Sequence, residues 1–357
     1  MNNYTPWTTS SSTQSSAKKK PKISVFVPIN RVGGMDVLFE SLKHQSFQDF
    51  ELIIGDSLYE FRKDVVAEKA KEYNFPVKHI SPINKVFPIT DYNNAINTGL
   101  LAAEGDIFYF TSDFSVMPKD TLALHHSFHT QTPKNFILMC PCNDAKVKLD
   151  VVSDDFPKHR QYGNRGNGKE TQLYTVPEDF YISTHNEWSE RFCEDLKNGV
   201  LNKVLWSIFK EPFIYERGIE PYVEEVIEDT KFSNCSKTEP TQAFHDLCCI
   251  RANSFRTDFL LEANGMNELF DGTWGVHDTE LIRRLVRCYD AKTFAMNIMG
   301  ETVINTRYFQ EIRKCPRGYD NFKLIEQSYG REQPINYGVI AEWKQGKIKL
   351  NERRMAI

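Results

Sequence analysis

Residues 265–285, GMNELFDGTWGVHDTELIRRL, crowd chemistry-bearing side chains into one short run. Asp278 is their centre. An unperturbed aspartate has a pKa of ~3.9 and is ionised at neutral pH, so it can accept a proton as a general base. It can equally cap a helix beginning at Thr279. Trp274 offers a flat apolar face, and Gly275 lets backbone pass close to a ligand. The same pair suits a core tryptophan beside a turn glycine. His277 can hold a phosphate or a metal, or face solvent. Glu280 reads as a helix-surface charge.

A second set of polar residues is spread through the first third of the chain. Asn30 and Arg31 follow the apolar run that ends at Pro28. Asp56 ends another such run, and Asp113 follows a third. Several polar residues converging on one rim mean more than any one, because strand ends turn with Asn and Asp anyway. His125, His126 and His129 form an HHxxH cluster on an expected helix. No third ligand or activating carboxylate accompanies them, so they are expected at the surface. The GNRGNG run at 163–168 lacks the strand–helix context of a phosphate loop and reads as a plain loop. Arg31-Val32-Gly33-Gly34 is a faint version of such a loop, with no signature lysine after it.

The elements that must position these residues can be read from hydrophobic pattern. Residues 23–27, 50–54, 77–80 and 107–111 are short β-branched or aromatic runs expected as buried strands. Residues 35–44, 62–74, the stretch from Tyr92 to beyond Leu100, and a segment from about Lys119 are expected helices. The alternation predicts an α/β fold: a mostly parallel sheet with helices on both faces. Ligands of such sheets bind outside the carboxyl ends of the strands. Residues 186–211 carry a helical apolar pattern, residues 216–231 are acidic, and residues 143–242 are expected as an inserted, partly helical subdomain or lid. Strand texture returns at 243–250, and 253–262 suggests a helix.

Bulk properties exclude several classes. The chain has 357 residues, 40% of them apolar and 26% charged, which is a globular balance. A net charge of -4 argues against nucleic acid as the main partner. None of the eight cysteines sits in a CxxC pair, so they are read as reduced, partly buried thiols. No signal sequence is visible, and no apolar run approaches the ~20 residues that span a bilayer. A soluble, cytosolic protein is expected, with Lys18, Lys19 and Lys20 available to touch a membrane surface. Residues 1–21 are expected as a disordered polar tail, 22–142 as one half of the main domain, 243–310 as the other, and 311–357 as an extension.

In order along the chain, four segments resemble the family 2-like GT-A glycosyltransferases, over roughly residues 22–308. ISVFVPINR resembles their first strand, and LKHQSFQDFELIIGDS their Leu-x-x-Gln-(Ser/Thr)-aromatic motif and second strand. NNAINTGLLAAEGDIFYF resembles the helix and strand that lead into their Asp-x-Asp motif. GMNELFDGTWGVHDTELIRRL is similar to their acceptor-side motif. The resemblance implies a GT-A fold and inverting transfer of a sugar from a nucleotide-diphosphate donor, UDP by preference, to a hydroxyl on a glycan or other acceptor. It implies Asp278 as the base, and Pro28, Asn30, Arg31, Asp56, Asn97 and Asp113 around the nucleotide. Trp274, Gly275 and His277 fall on the acceptor side. Two departures stand out. The Asp-x-Asp region reads Thr111-Ser112-Asp113-Phe114-Ser115, with one carboxylate, and His277 replaces the usual Glu. Asp113 is thus the remaining candidate ligand for a Mn²⁺ or Mg²⁺ ion. The reduced motif also leaves open a non-catalytic protein that binds a sugar nucleotide or glycan.

Overall fold

The computed structural model describes residues 7–9, 20–83, 91–148, 151–155, 194–210, 222–227, 241–242, 250–271, 276–296, 298, 300–305 and 325–349. A nine-stranded sheet forms the frame. Its strands are β1 (Trp7–Thr9), β2 (Ile23–Ile29), β3 (Phe50–Asp56), β4 (Val77–Ile80), β5 (Ile107–Phe110), β7 (Phe136–Met139), β10 (Thr241–Gln242), β11 (Asn253–Arg256) and β12 (Lys292–Ala295). They lie in the order β1-β4-β3-β2-β5-β11-β7-β12-β10. From β4 to β12 the strands run parallel except β11, which opposes both of its neighbours. Edge strands β1 and β10 are antiparallel. A second sheet joins β6 (Ser115–Val116), β13 (Glu301–Asn305), β8 (Cys142–Val147) and β9 (Val223–Ile227).

The expected α/β architecture is therefore present, and the period-2 pattern explains it. Along β2, Val25, Val27 and Ile29 enter one core, while Phe26 enters another on the opposite face. The first core is closed by α1 (Met35–Lys43), α2 (Tyr59–Ala70) and α4 (Thr121–Gln131). The second is closed by α3 (Tyr92–Ala102), α5 (Thr257–Glu262), α6 (His277–Tyr289) and α7 (Val339–Lys344). Covered on both faces, these strands carry continuous apolar runs. Gly99 brings α3 onto the sheet: a Cβ there would sit 2.1 Å from the Phe26 ring.

Several expectations are corrected. Of the helix read over 186–211, residues 186–193 and 211 lie outside the described residues, 194–197 are helical, and 198–210 form turns with a 3₁₀ turn at Asn202–Val204. Gly199, at φ 72°, ends the helical turn that precedes it. The apolar residues there bury Leu201, Val204, Ile208 and Phe209 against Phe114 and β13 in a third core. Within the acidic 216–231 stretch, Val223–Ile227 is a strand paired with β8. Residues 253–262 split into β11 and α5, because β5 and β7 both offer edges to residues 253–256. Trp7–Thr9, inside the tail expected to be disordered, pairs along β4. The strand read at 243–250 falls mostly outside the described residues. No described helix is long and apolar enough to cross a membrane.

The histidine cluster is also corrected. His125 and His129 are buried where α4 packs on β11, and both ring nitrogens meet the Ser254 hydroxyl, at 2.6 and 2.8 Å. Only His126 lies outward, stacked on Phe47. Burial holds both buried imidazoles down at about 3. Their folded pKa lies below the unfolded value of ~6.5, so their contribution to stability is complete above that value and lost as pH falls toward 3. The free energy of unfolding should drop by up to about 1.4 kcal/mol per pH unit per histidine below pH 6.5. Denaturant titrations at pH 7.5 and 5 should show this slope, and His125→Gln/His129→Gln should flatten it.

Candidate functional site

Parallel strands bring their carboxyl ends to one rim. In the register of β2 with β3, Ile29 lies beside Asp56, and β2 with β5 places Phe26 beside Phe110. Asp56, Arg31 and Asp113 therefore leave the sheet on the same side. A chain of polar contacts joins them. Asp56 is fully buried, with Oδ1 accepting from the Leu58 N–H at 2.8 Å. Its Oδ2 meets His79 Nε2 at 2.8 Å and pairs with Arg62 Nε at 3.2 Å. Burial alone would raise this carboxyl, but the Arg62 charge and His79 outweigh it and hold it below the usual range. Arg62 Nη2 donates onward to the Arg31 carbonyl. Arg31 in turn grips Asp113 with two bonds, Nε to Oδ2 at 2.7 Å and Nη2 to Oδ1 at 2.5 Å. Its guanidinium lies 4.8 Å from the centre of the Phe114 ring.

Both oxygens of Asp56, expected at a base edge, are engaged by Leu58, His79 and Arg62 inside the fold. Asp113 also differs from an open metal ligand. Among the described residues no group of three His, Cys, Asp or Glu side chains could hold a metal ion. The residues here do not fit a divalent cation while Arg31 holds both oxygens of Asp113. Pro28 and Asn30 sit half-buried at the end of β2.

The Gly33–Gly34 turn is not an open phosphate loop. Both glycines have positive φ, 75° and 77°, and a Cβ on Gly34 would lie 2.5 Å from the Phe114 ring. The N-terminus of α1 is covered: Met35 N–H donates to the Trp206 carbonyl at 3.1 Å, and Ser207 Oγ donates to Asp36 at 2.7 Å. Burial pushes the Asp36 carboxyl up to about 6 despite that bond.

The acceptor-side motif reaches the same rim by another route. A crossover helix starts where a parallel strand ends, so the N-terminus of α3 lies at the carboxyl edge, as does that of α6, which leads into β12. The two ends touch, with the His277 ring 4.7 Å from the Tyr92 ring. Asp271 fastens this junction by accepting from the Asn93 and Asn94 N–H groups at 2.7 and 3.0 Å. Asn97, expected near the nucleotide, faces the turn instead. Its Nδ2 donates to Met266 O and Glu268 Oε1, and its Oδ1 accepts from Met266 N–H. Glu268 also accepts from the Val339 N–H at 2.9 Å, where α7 begins. Glu280 corrects its surface reading: it is buried and pairs at 2.8 Å with the fully buried Arg284, which also donates to the carbonyls of Ala263 and Gly265.

Asp278 stands apart from these anchors. It is half-buried in the first turn of α6, after Val276 in the left-handed conformation at φ 58°. Its Oδ1 accepts from its neighbour's Thr279 N–H at 2.9 Å, and Oδ2 makes no hydrogen bond among the described residues. A cavity of about 380 Å³ lies along the same helix, lined by Val276, Thr279, Arg283, Ile325, Glu326 and Tyr329; Asp278 is not among its lining residues. The Arg283 guanidinium lies 4.5 Å from the Tyr329 ring centre. Trp274 and Gly275 lie outside the described residues. Sequence reading missed Arg62 and His79: one sat in a charged helical stretch, the other inside a strand, and only the fold brings them to Asp56.

The strand order, with six parallel strands and β11 reversed, is a mostly parallel α/β sheet of the kind the motif order implies. No protein-family model and no curated protein matches the chain. Among solved structures, S. aureus TarS is similar at 14% identity and a TM-score of 0.42, over 86% of this chain and 39% of that one. TarS 1-349 in complex with UDP-GlcNAc is similar at 14% identity and 0.41, over 85% of this chain and 65% of that one. TarS 1-349 in complex with UDP gives 14% and 0.40, over 93% and 77%. Likeness of this depth bears on neither the ligand nor the activity of this chain.

The rim network generates a stability prediction. Arg62→Met leaves the buried Asp56 carboxylate without its cation and should destabilise the fold by about 3–5 kcal/mol. Adding Asp56→Asn should recover part of the loss. Chemical denaturation of the single and double variants measures both, and a single variant as stable as the parent would remove the pair from the account.

Proposed function

We propose that this chain is an inverting glycosyltransferase that moves a sugar from a nucleotide-diphosphate donor, UDP-linked by preference, to a hydroxyl on a glycan. The observation that carries the reading is Asp278. The polar side chains around it, Asn97, Glu268, Asp271, Glu280 and Arg284, hold the turn together, while Asp278 Oδ2 makes no hydrogen bond among the described residues.

In the proposed reaction the acceptor oxygen attacks the anomeric carbon opposite the diphosphate. Asp278 takes the hydroxyl proton as the new C–O bond forms, and the bond to the phosphate oxygen breaks with its electron pair leaving on the nucleotide. The acceptor sugar would enter the cavity beside Thr279, where Tyr329 is 59% exposed and supplies an apolar ring for a sugar face. A second reading, donor binding without turnover, is favoured by the Arg31–Asp113 pair, which closes the one carboxylate left in the Asp-x-Asp region.

Incubation with UDP-, GDP- and dTDP-sugars, followed by assay of nucleotide release with and without glycan acceptors, separates the two. Release supports transfer, and binding alone supports the second reading. Asp278→Asn should lower turnover on the order of 10²–10⁴-fold with nucleotide affinity unchanged. Loss of affinity in parallel with turnover would show Asp278 to be a structural cap.

A further inference from the structure

Arg31 leaves the carboxyl end of β2 and holds both oxygens of Asp113, which follows β5. We propose that its guanidinium takes the place of a divalent ion there, with Asp113 serving as the holder of Arg31 rather than as a metal ligand. The proposal rests on the nucleotide-diphosphate reading above and deepens it.

Four observations converge. First, both oxygens of Asp113 accept from the guanidinium, a fork-to-carboxylate geometry that fixes orientation as well as charge. Second, the pair is layered: the Asp113 side chain is 4% exposed and that of Arg31 is 19% exposed. An anion arriving from solvent therefore meets the cation before the carboxylate. Third, Arg31 is braced from behind. Its carbonyl accepts from Arg62, which is anchored on Asp56, and its guanidinium lies over Phe114. Fourth, the other anion-binding device at this end of β2 is closed, because Trp206 and Ser207 cover the N-terminus of α1.

Electrostatics distinguishes this arrangement from a metal site. A lone carboxylate beside a diphosphate is repulsive without a cation between them. A divalent ion on Asp113 would leave a net charge of about +1, whereas the Arg31–Asp113 pair is neutral. The guanidinium must therefore act through directed hydrogen bonds to phosphate oxygens, for which its planar fork is suited and an ammonium is not. A divalent ion could reach Asp113 only by displacing a two-bond ion pair in a largely buried site.

The test is titration of the full chain with UDP, GDP and dTDP, in EDTA and in Mn²⁺, alongside Mn²⁺ titration of nucleotide-free protein followed by electron paramagnetic resonance. The parent should bind one of the nucleotides with affinities within about twofold in the two conditions, and should take up no Mn²⁺ alone. Arg31→Met should weaken nucleotide about tenfold or more in EDTA, gain Mn²⁺ binding through the released Asp113, and recover affinity when Mn²⁺ is added. Arg31→Lys should fall between the two. Parent binding that rises about tenfold with Mn²⁺ overturns the proposal and leaves the transferase reading standing. An Arg31→Met variant unchanged in EDTA, or weakened without response to Mn²⁺, also overturns it. The parent comparison needs no variant to fold. If the parent binds none of the nucleotides in either condition, the transferase reading fails and this proposal with it.

Discussion

Two buried carboxylates at the ends of the parallel strands that flank β2 must each have a cation within reach, and that requirement organises one end of the molecule. Isolated ionised groups are very unfavourable in a protein interior. Asp56 and Asp113 resolve this with two arginines that are themselves linked, Arg62 donating to the carbonyl of Arg31. The linkage makes the rim one electrostatic unit. Arg62 comes from α2, Arg31 from the turn after β2, His79 from β4 and Asp113 from the turn after β5, so four segments are locked by charge where they leave the sheet. A rim built this way is pre-organised, since its dipoles and charges are already placed before any ligand arrives.

The second sheet and the 194–210 segment matter through the same unit. Phe114, which follows Asp113, packs with Ile208, Phe209 and Ile304 in the third core, and Phe209 meets it edge-on at 6.0 Å. The Phe114 carbonyl accepts from the Ile304 N–H, and β6 pairs with β13 directly after it. Asp113 is thus clamped between the main sheet and the smaller one. The region that sequence reading treats as an insertion supplies part of the packing around Phe114, over which the Arg31 guanidinium lies.

How much of this was legible in sequence depended on whether local pattern or tertiary contact decided the outcome. The strands at 23–27, 50–54, 77–80 and 107–111 could be read because burial on both faces writes a continuous apolar run. Asp56 and Asp113 could be placed at a rim because strand ends were visible. Their partners could not, since Arg62 pairs with Asp56 only after α2 folds back over β3. Glu280 and the histidines misled for the same reason. A charged or polar residue at helical spacing looks solvated until a partner such as Arg284 or Ser254 is brought to it from elsewhere in the chain. Residues 194–210 misled in the opposite sense: their apolar spacing was real and their burial was real, but Gly199 broke the helix that the spacing suggested.

The acceptor-side motif shows why its resemblance was readable while its roles were not. Fixed residue types at fixed spacing can reflect chemistry or architecture, and here most reflect architecture. Glu268 ties the motif to α3 and to the start of α7, Asp271 caps α3, and Arg284 fills the carbonyls left by the turn at Gly265. Those contacts leave α6 little freedom to shift against α3. A carboxylate in the first turn of such a helix is held at a defined place on the rim by bonds in which it takes no part. The base role proposed for Asp278 calls for such a separation, because a group whose lone pairs are already committed to structure has none to offer a proton. The same logic, applied to Asp113, points the other way: both its oxygens accept from Arg31, and the chemistry proposed at that position is the arginine's.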